Sequence, residues 1–223
     1  RLQIDPAFAG DVKAARAEAE AGLRETLGPY ARLVDQLAQA MPQRFAWVRD
    51  ITVSNSTWGN RLPPMTPDCV GVYPLGGGIG QGMPMAIGAA LGAPGLKTVA
   101  LVGDGGLYVA LGELATAVQE KADIVMLVMN DRGYGVIRNI QDAKFGGRRY
   151  FVDLHTPDFG DLARTVGWHF RRVADLDDFP DAFAAALAAE GPAMIEIDMT
   201  AIGPFAVKFG GPPVRAAAAG ASQ

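Results

Sequence analysis

Residues 99–102 and 124–129 form two short apolar runs, and between them Leu111, Leu114, Ala115 and Val118 recur at i, i+3, i+4 and i+7. The pattern predicts strand, helix, strand. The first run stops at Gly103-Asp104-Gly105-Gly106 and the second at Asn130-Asp131. In a parallel βαβ unit both strand ends reach the same edge of the sheet, where α/β proteins bind ligands. Asp104 and Asn130 are therefore expected side by side, although 26 positions apart.

The same reading extends along the chain. Residues 13–27 and 30–40 read as helices, closed by Gly28-Pro29 and Met41-Pro42. Residues 2–6 read as the end of a strand. Residues 45–53 end in a strand that runs into a polar loop, Ser54-Asn55-Ser56-Thr57-Trp58. Two further repeats follow: helix at 158–166, strand at 168–173, helix at 177–189 and a buried strand at 193–197. Alternating helices and strands predict a three-layer α/β/α fold with a parallel sheet of about six strands. The expected boundaries are 1–44 for linker helices and the end of a preceding domain, 45–200 for the α/β domain, and 201–223 for a C-terminal tail, mobile from Gly210 on.

Composition narrows the function classes. The chain has 223 residues, 49% hydrophobic, enough for one sizeable core. A net charge of −4 argues against a nucleic-acid surface. One cysteine, Cys69, excludes an internal disulfide framework and fits a reducing, cytoplasmic setting. No stretch reaches the ~20 apolar residues of a membrane span, and no signal peptide is visible. The opening at Arg1 reads like the interior of a longer protein.

Asp104 and Asn130 offer a carboxylate and an amide oxygen, which suit a hard cation such as Mg²⁺. Gly105 and Gly106 let backbone N–H groups approach an anion. A diphosphate bridged to the chain through Mg²⁺ fits both. The glycines of residues 75–88 give no GxGxxG in any register, so the dinucleotide fingerprint is absent, as is a P-loop. His155 and His169 have no metal-ligand spacing and read as structural. The basic residues Arg138, Lys144, Arg148 and Arg149 read as a solvated face.

Gly103-Asp104-Gly105, then 24 residues, then Asn130, resembles the signature of thiamine-diphosphate-dependent enzymes. Asn130-Asp131-Arg132-Gly133-Tyr134-Gly135 resembles the continuation seen in their acetolactate synthase and benzoylformate decarboxylase branch. The resemblance covers about residues 45–200 and implies the C-terminal, diphosphate-binding domain. It implies thiamine diphosphate and Mg²⁺ as cofactors, with Asp104, Asn130 and the backbone carbonyl of Arg132 as metal ligands. Gly103, Asp104, Gly105, Gly106, Asn130, Arg132, Gly133, Tyr134 and Gly135 would bind the cofactor, helped by Ser54, Asn55, Ser56 and Thr57.

The stretch Leu75-Gly76-Gly77-Gly78-Ile79-Gly80 resembles the family's glycine-rich segment. Gly77, Gly78 and Ile79 would meet the aminopyrimidine. Ile79 would be the apolar wedge that bends the cofactor and so serves catalysis. The implied activity is decarboxylation or carboligation of a 2-oxo acid. The alternative is a non-catalytic cofactor-binding or regulatory chain of the same fold. The resemblance further implies a pyrimidine-binding domain, in the same or a neighbouring subunit, that supplies an activating glutamate, and a homodimer or homotetramer.

Overall fold

The computed structural model describes residues 5–211. Its centre is a six-stranded, all-parallel sheet in the order β2-β1-β3-β4-β6-β5. The strands are β1 (Phe45–Arg49), β2 (Val70–Val72), β3 (Lys97–Gly103), β4 (Ile124–Asn130), β5 (His169–Val173) and β6 (Ala193–Asp198). The helices are α1 (Phe8–Thr26), α2 (Tyr30–Ala40), α3 (Gly82–Gly92), α4 (Asp104–Val109), α5 (Glu113–Gln119), α6 (Gly135–Lys144), α7 (Phe159–Val166), α8 (Phe179–Ala188) and α9 (Met199–Ile202).

Both faces of the sheet are covered, so its central strands read as continuous apolar runs. Successive side chains point to opposite faces. Val99 and Leu101 of β3, with Val125, Leu127 and Met129 of β4, join the core beneath α2 and α8. Ala100 and Val102, with Ile124, Met126 and Val128, join the core beneath α3, α5 and α7. The short strand β2 escaped sequence reading because its three residues, Val-Gly-Val, are at most half-buried.

Three expectations change. The helix after Gly103 is two helices, broken around Ala110–Gly112, and Ala115 is exposed while Ala117 takes its place in the core. Residues 30–40, expected as linker, belong to the core: Tyr30, Leu33, Val34 and Leu37 of α2 are buried, whereas α1 buries none of its residues. The start of the expected tail, ahead of the stretch expected to be mobile, is docked on the folded unit. Phe205 packs on Tyr30 with ring centroids 4.3 Å apart. The Tyr30 hydroxyl donates to Gly203 O at 2.7 Å, and the Val207 N–H donates to Thr26 O at 3.0 Å. Residues 2–4 of the expected first strand end and residues 212–223 of the tail lie outside the described residues.

In chain order the path leaves β1 for β2 on one side and then crosses to β3 on the other. The connections after β1 and β3 diverge, which opens a crevice at the C-terminal ends of these strands. Leu33→Ala tests whether α2 is structural. It should destabilise the chain by about 2–5 kcal/mol in urea unfolding, as a fully buried leucine does; an exposed linker would give no measurable change.

Candidate functional site

The crevice is lined by the segments that leave three adjacent strands. Ile51, Thr52 and Val53 follow β1; Gly103 to Gly106 follow β3; Asp131 and Gly133 to Gly135 follow β4. Gly77 and Ile79 close it from the glycine-rich strap, and Met199 from the end of β6. The glycines are required by space. A Cβ on Gly105 would lie 2.8 Å from the Tyr134 ring, and one on Gly106 would lie 2.8 Å from Asp50 Oδ2. Gly135 admits no Cβ because the Asp131 carboxylate fills that position.

Asp104 and Asp131 face each other in this crevice. Asp104 is 1% exposed, and its Oδ2 accepts from the Gly133 N–H at 2.9 Å. Burial, and then the charge of Asp131, push the Asp104 carboxyl up to about 7. The Asp131 carboxyl is also raised, mainly by burial, against the opposing charge of Arg138. Arg138 sits 3.8 Å from Asp131 Oδ2. Two carboxylates this close cannot both ionise cheaply without a cation between them.

The partner of Asp104 is thus Asp131 and not Asn130. Asn130 does not line the crevice. It ends β4 on the face of Met126 and Val128, where its Nδ2 donates to Glu196 Oε1 at 2.7 Å and its Oδ1 accepts from the Arg132 N–H at 3.1 Å. The next residue, Asp131, is the one that lines the crevice. The Arg132 carbonyl, expected as a third ligand, accepts from the Leu154 N–H at 3.1 Å and from Arg138 Nη2 at 3.3 Å. Both of its lone pairs are engaged by the protein.

The polar run after β1 is also displaced. Ser54 to Thr57 do not line the crevice. They belong to a helical turn whose Asn55–Gly59 part is π-helical, and Ser54, Asn55 and Thr57 are buried away from it. Thr57 Oγ1 bonds back to Val53 O at 2.9 Å, and Asn55 Oδ1 accepts from Arg49 at 2.9 Å. The preceding residues, Ile51 to Val53, take the expected place. Gly78 lies on the strap beside Gln81, which donates to its carbonyl at 3.2 Å, and does not line the crevice itself.

Sequence reading missed Asp50, which is fully buried. Its Oδ2 accepts from the N–H groups of Gly80 and Gly82, each at 3.0 Å, and its Oδ1 from the Ile51 N–H at 2.7 Å. Asp50 therefore pins the strap that carries Ile79 against the end of β1. An acidic residue directly after a buried strand was the available signal.

A glycine-walled crevice with an acid pair, at the switch point of a parallel sheet, defines an α/β ligand-binding domain. Residues 52–197 match the family model described as "Thiamine pyrophosphate enzyme, C-terminal TPP binding domain", and the chain belongs to this family. It is 38% identical over 119 residues to acetolactate synthase of Bacillus subtilis, covering 53% of this chain and 21% of that protein. It is 32% identical over 190 residues to the probable 2-ketoarginine decarboxylase AruI of Pseudomonas aeruginosa, covering 82% of this chain and 33% of that protein. A solved thiamine diphosphate-dependent 4-hydroxybenzoylformate decarboxylase from Rhodococcus jostii superposes with a TM-score of 0.69 at 29% identity, covering 75% of this chain and 32% of that one. The chain thus spans roughly a fifth to a third of the length of these relatives.

The residues present fit the family's cofactor. The crevice offers the carboxylate oxygens of Asp104 and Asp131 and neither histidine nor cysteine, as a hard divalent cation prefers, beside a glycine turn that has no room for side chains.

The raised carboxyl has a consequence for stability. A carboxyl that titrates near 7 when folded and near 3.9 when unfolded contributes stability that is present below about pH 4 and lost as pH rises through about 7. In urea unfolding of the ligand-free chain, Asp104→Asn should therefore flatten the fall in stability between pH 5 and pH 8. Equal slopes in both proteins would contradict the assignment.

Proposed function

We propose that this chain is the cofactor-binding part of a thiamine-diphosphate-dependent 2-oxo acid decarboxylase or carboligase. The observation that carries the reading is the Asp104–Asp131 pair set beside the Gly103–Gly106 turn. Asp104 and Asp131 would hold Mg²⁺, and the cation would hold the diphosphate. The backbone of Gly105 and Gly106 would approach the diphosphate oxygens. Bound there, thiamine diphosphate would supply an electron sink for decarboxylation of a 2-oxo acid.

Ile79 reaches the crevice from the strap pinned by Asp50. In this reading it is the wedge that sets the angle between the cofactor's two rings. Asp50 itself is a poor proton relay, because three backbone N–H groups occupy its carboxylate. Glu113 begins α5, beyond the break in the helix, and Glu196 is committed to Asn130 and Arg172. As the family resemblance implies, the activating carboxylate would come from a pyrimidine-binding domain of the same or a neighbouring subunit, within a dimer or tetramer. The apolar residues exposed around the strap, Leu75, Tyr108 and Val109, would pack against that domain. Among the described residues no helix is long and apolar enough to cross a membrane; the cytoplasm is the proposed location.

Asp104→Ala and Asp131→Ala should each abolish the Mg²⁺ dependence of thiamine diphosphate binding in equilibrium titrations, with NADH as the non-binding control. An unchanged cofactor affinity in both variants would remove the cation bridge from the proposal.

The purified 223-residue chain should bind the cofactor weakly, self-associate and release negligible CO₂ from pyruvate or benzoylformate. Robust CO₂ release by the mass-verified chain would mean that an activating carboxylate lies within it.

A further inference from the structure

Behind the acid pair, three polar side chains from adjacent strands form one row on the α3/α5/α7 face. Asn130 ends β4, Glu196 lies in β6 opposite Val128, and Arg172 of β5 lies opposite Glu196. Glu196 is 3% exposed. Its Oε1 accepts from Asn130 Nδ2 at 2.7 Å and its Oε2 accepts from Arg172 Nε at 2.7 Å. At the near end of the row, Asn130 Oδ1 accepts from the Arg132 N–H at 3.1 Å. At the far end, Arg172 Nη2 donates to Asp158 Oδ2 at 2.9 Å.

Counting donors and acceptors shows what Glu196 is for. The Arg132 N–H and the Arg172 guanidinium can only donate. The Asn130 carboxamide relays one step, accepting on oxygen and donating on nitrogen. Donors therefore converge on position 196 from both sides, and only a side chain that accepts twice satisfies them. A carboxylate does so; an amide of the same size does not.

We propose that Glu196 is a positioning residue. It fixes which way the Asn130 carboxamide faces, and so holds the turn that carries Asp131 and Gly133. The turn needs this support because Arg132 adopts a left-handed φ of 57°, which a non-glycine residue adopts only at a cost. The effect on a bound cation rests on the function proposed above; the orienting role does not.

Glu196→Gln preserves size and removes one acceptor. The introduced amide keeps its oxygen toward Arg172, which Asp158 anchors, and presents its NH₂ to Asn130. Asn130 turns its oxygen to meet that donor, and the Arg132 N–H loses its acceptor. Two measurements on the 223-residue chain read this out. Hydrogen exchange of the Arg132 amide should accelerate in the variant. The apparent Mg²⁺ affinity, titrated with thiamine diphosphate present, should weaken, by less than the roughly 10- to 100-fold that losing a direct outer partner of a metal ligand costs, because Glu196 acts on Asp131 only through the turn.

The double variant Glu196→Gln with Arg172→Leu discriminates further. Without the guanidinium, the introduced amide can offer its oxygen to Asn130 again, so both readouts should recover toward wild type. A merely structural role predicts the opposite, with the double variant worse than the single one. Unchanged Arg132 exchange in Glu196→Gln, or no recovery in the double variant, would overturn the proposal. Should exchange respond as expected while the wild-type chain binds no thiamine diphosphate with Mg²⁺, the orienting role stands and the cation reading falls.

Discussion

Asp50 is the contact on which the geometry of the crevice depends. A carboxylate buried at the end of β1 is costly unless hydrogen bonds satisfy it, and here the donors come from the strap that must be held. The N–H groups of Gly80 and Gly82 converge on one oxygen while the chain's own Ile51 N–H takes the other. Gly82 and Gly106 both close on this side chain so tightly that neither admits a Cβ. One residue therefore ties together the end of β1, the strap carrying Ile79 and the turn after β3. Burial raises the Asp50 carboxyl despite these three bonds, as desolvation of a fully buried carboxyl does.

The acid pair poses the complementary problem. Asp50 has its charge spread over backbone donors, but Asp104 and Asp131 face one another, with the Gly133 N–H and a guanidinium 3.8 Å away as partial relief. That arrangement is unfavourable at neutral pH unless a positive charge offsets it, which is what the proposed Mg²⁺ would supply. In the proposed function the energy lost by crowding two carboxylates would be recovered on cation binding, which would link stability and affinity through the same two groups.

Much of this was legible in the sequence, and the part that was not has a common cause. Apolar runs broken by Gly103-Asp104 and Asn130-Asp131 located the sheet edge, because burial on both faces leaves a strong one-dimensional trace. The same runs could not say which of two adjacent polar residues faces the crevice. Strand side chains alternate, so a one-residue error moves the side chain to the other side of the sheet: the spacing points to Asn130, whereas Asp131 lines the crevice. The Ser54–Thr57 run failed in a similar way, since the turn after β1 coils immediately and Ile51 to Val53 take the edge. Residues 30–40 read as linker from their position, although Leu33, Val34 and Leu37 already carry a buried stripe. Asp50 escaped because an acid after a strand marks the sheet edge without showing what it binds; two of its partners, Gly80 and Gly82, lie far along the chain.

The place that Asn130 does occupy explains why an amide belongs there. The residue that ends β4 must satisfy a backbone N–H in a strained turn on one side and meet a buried carboxylate on the other. Aspartate at position 130 would set two carboxylates against each other and leave Glu196 without its donor; an apolar residue would leave the Arg132 N–H without its acceptor. An amide accepts and donates with one planar group, and Glu196 decides its orientation by accepting from it while accepting from Arg172 as well. Asn130 and Asp131 are thus neighbours with divided labour: the amide braces the turn from behind the sheet, and the carboxylate faces the crevice in front of it.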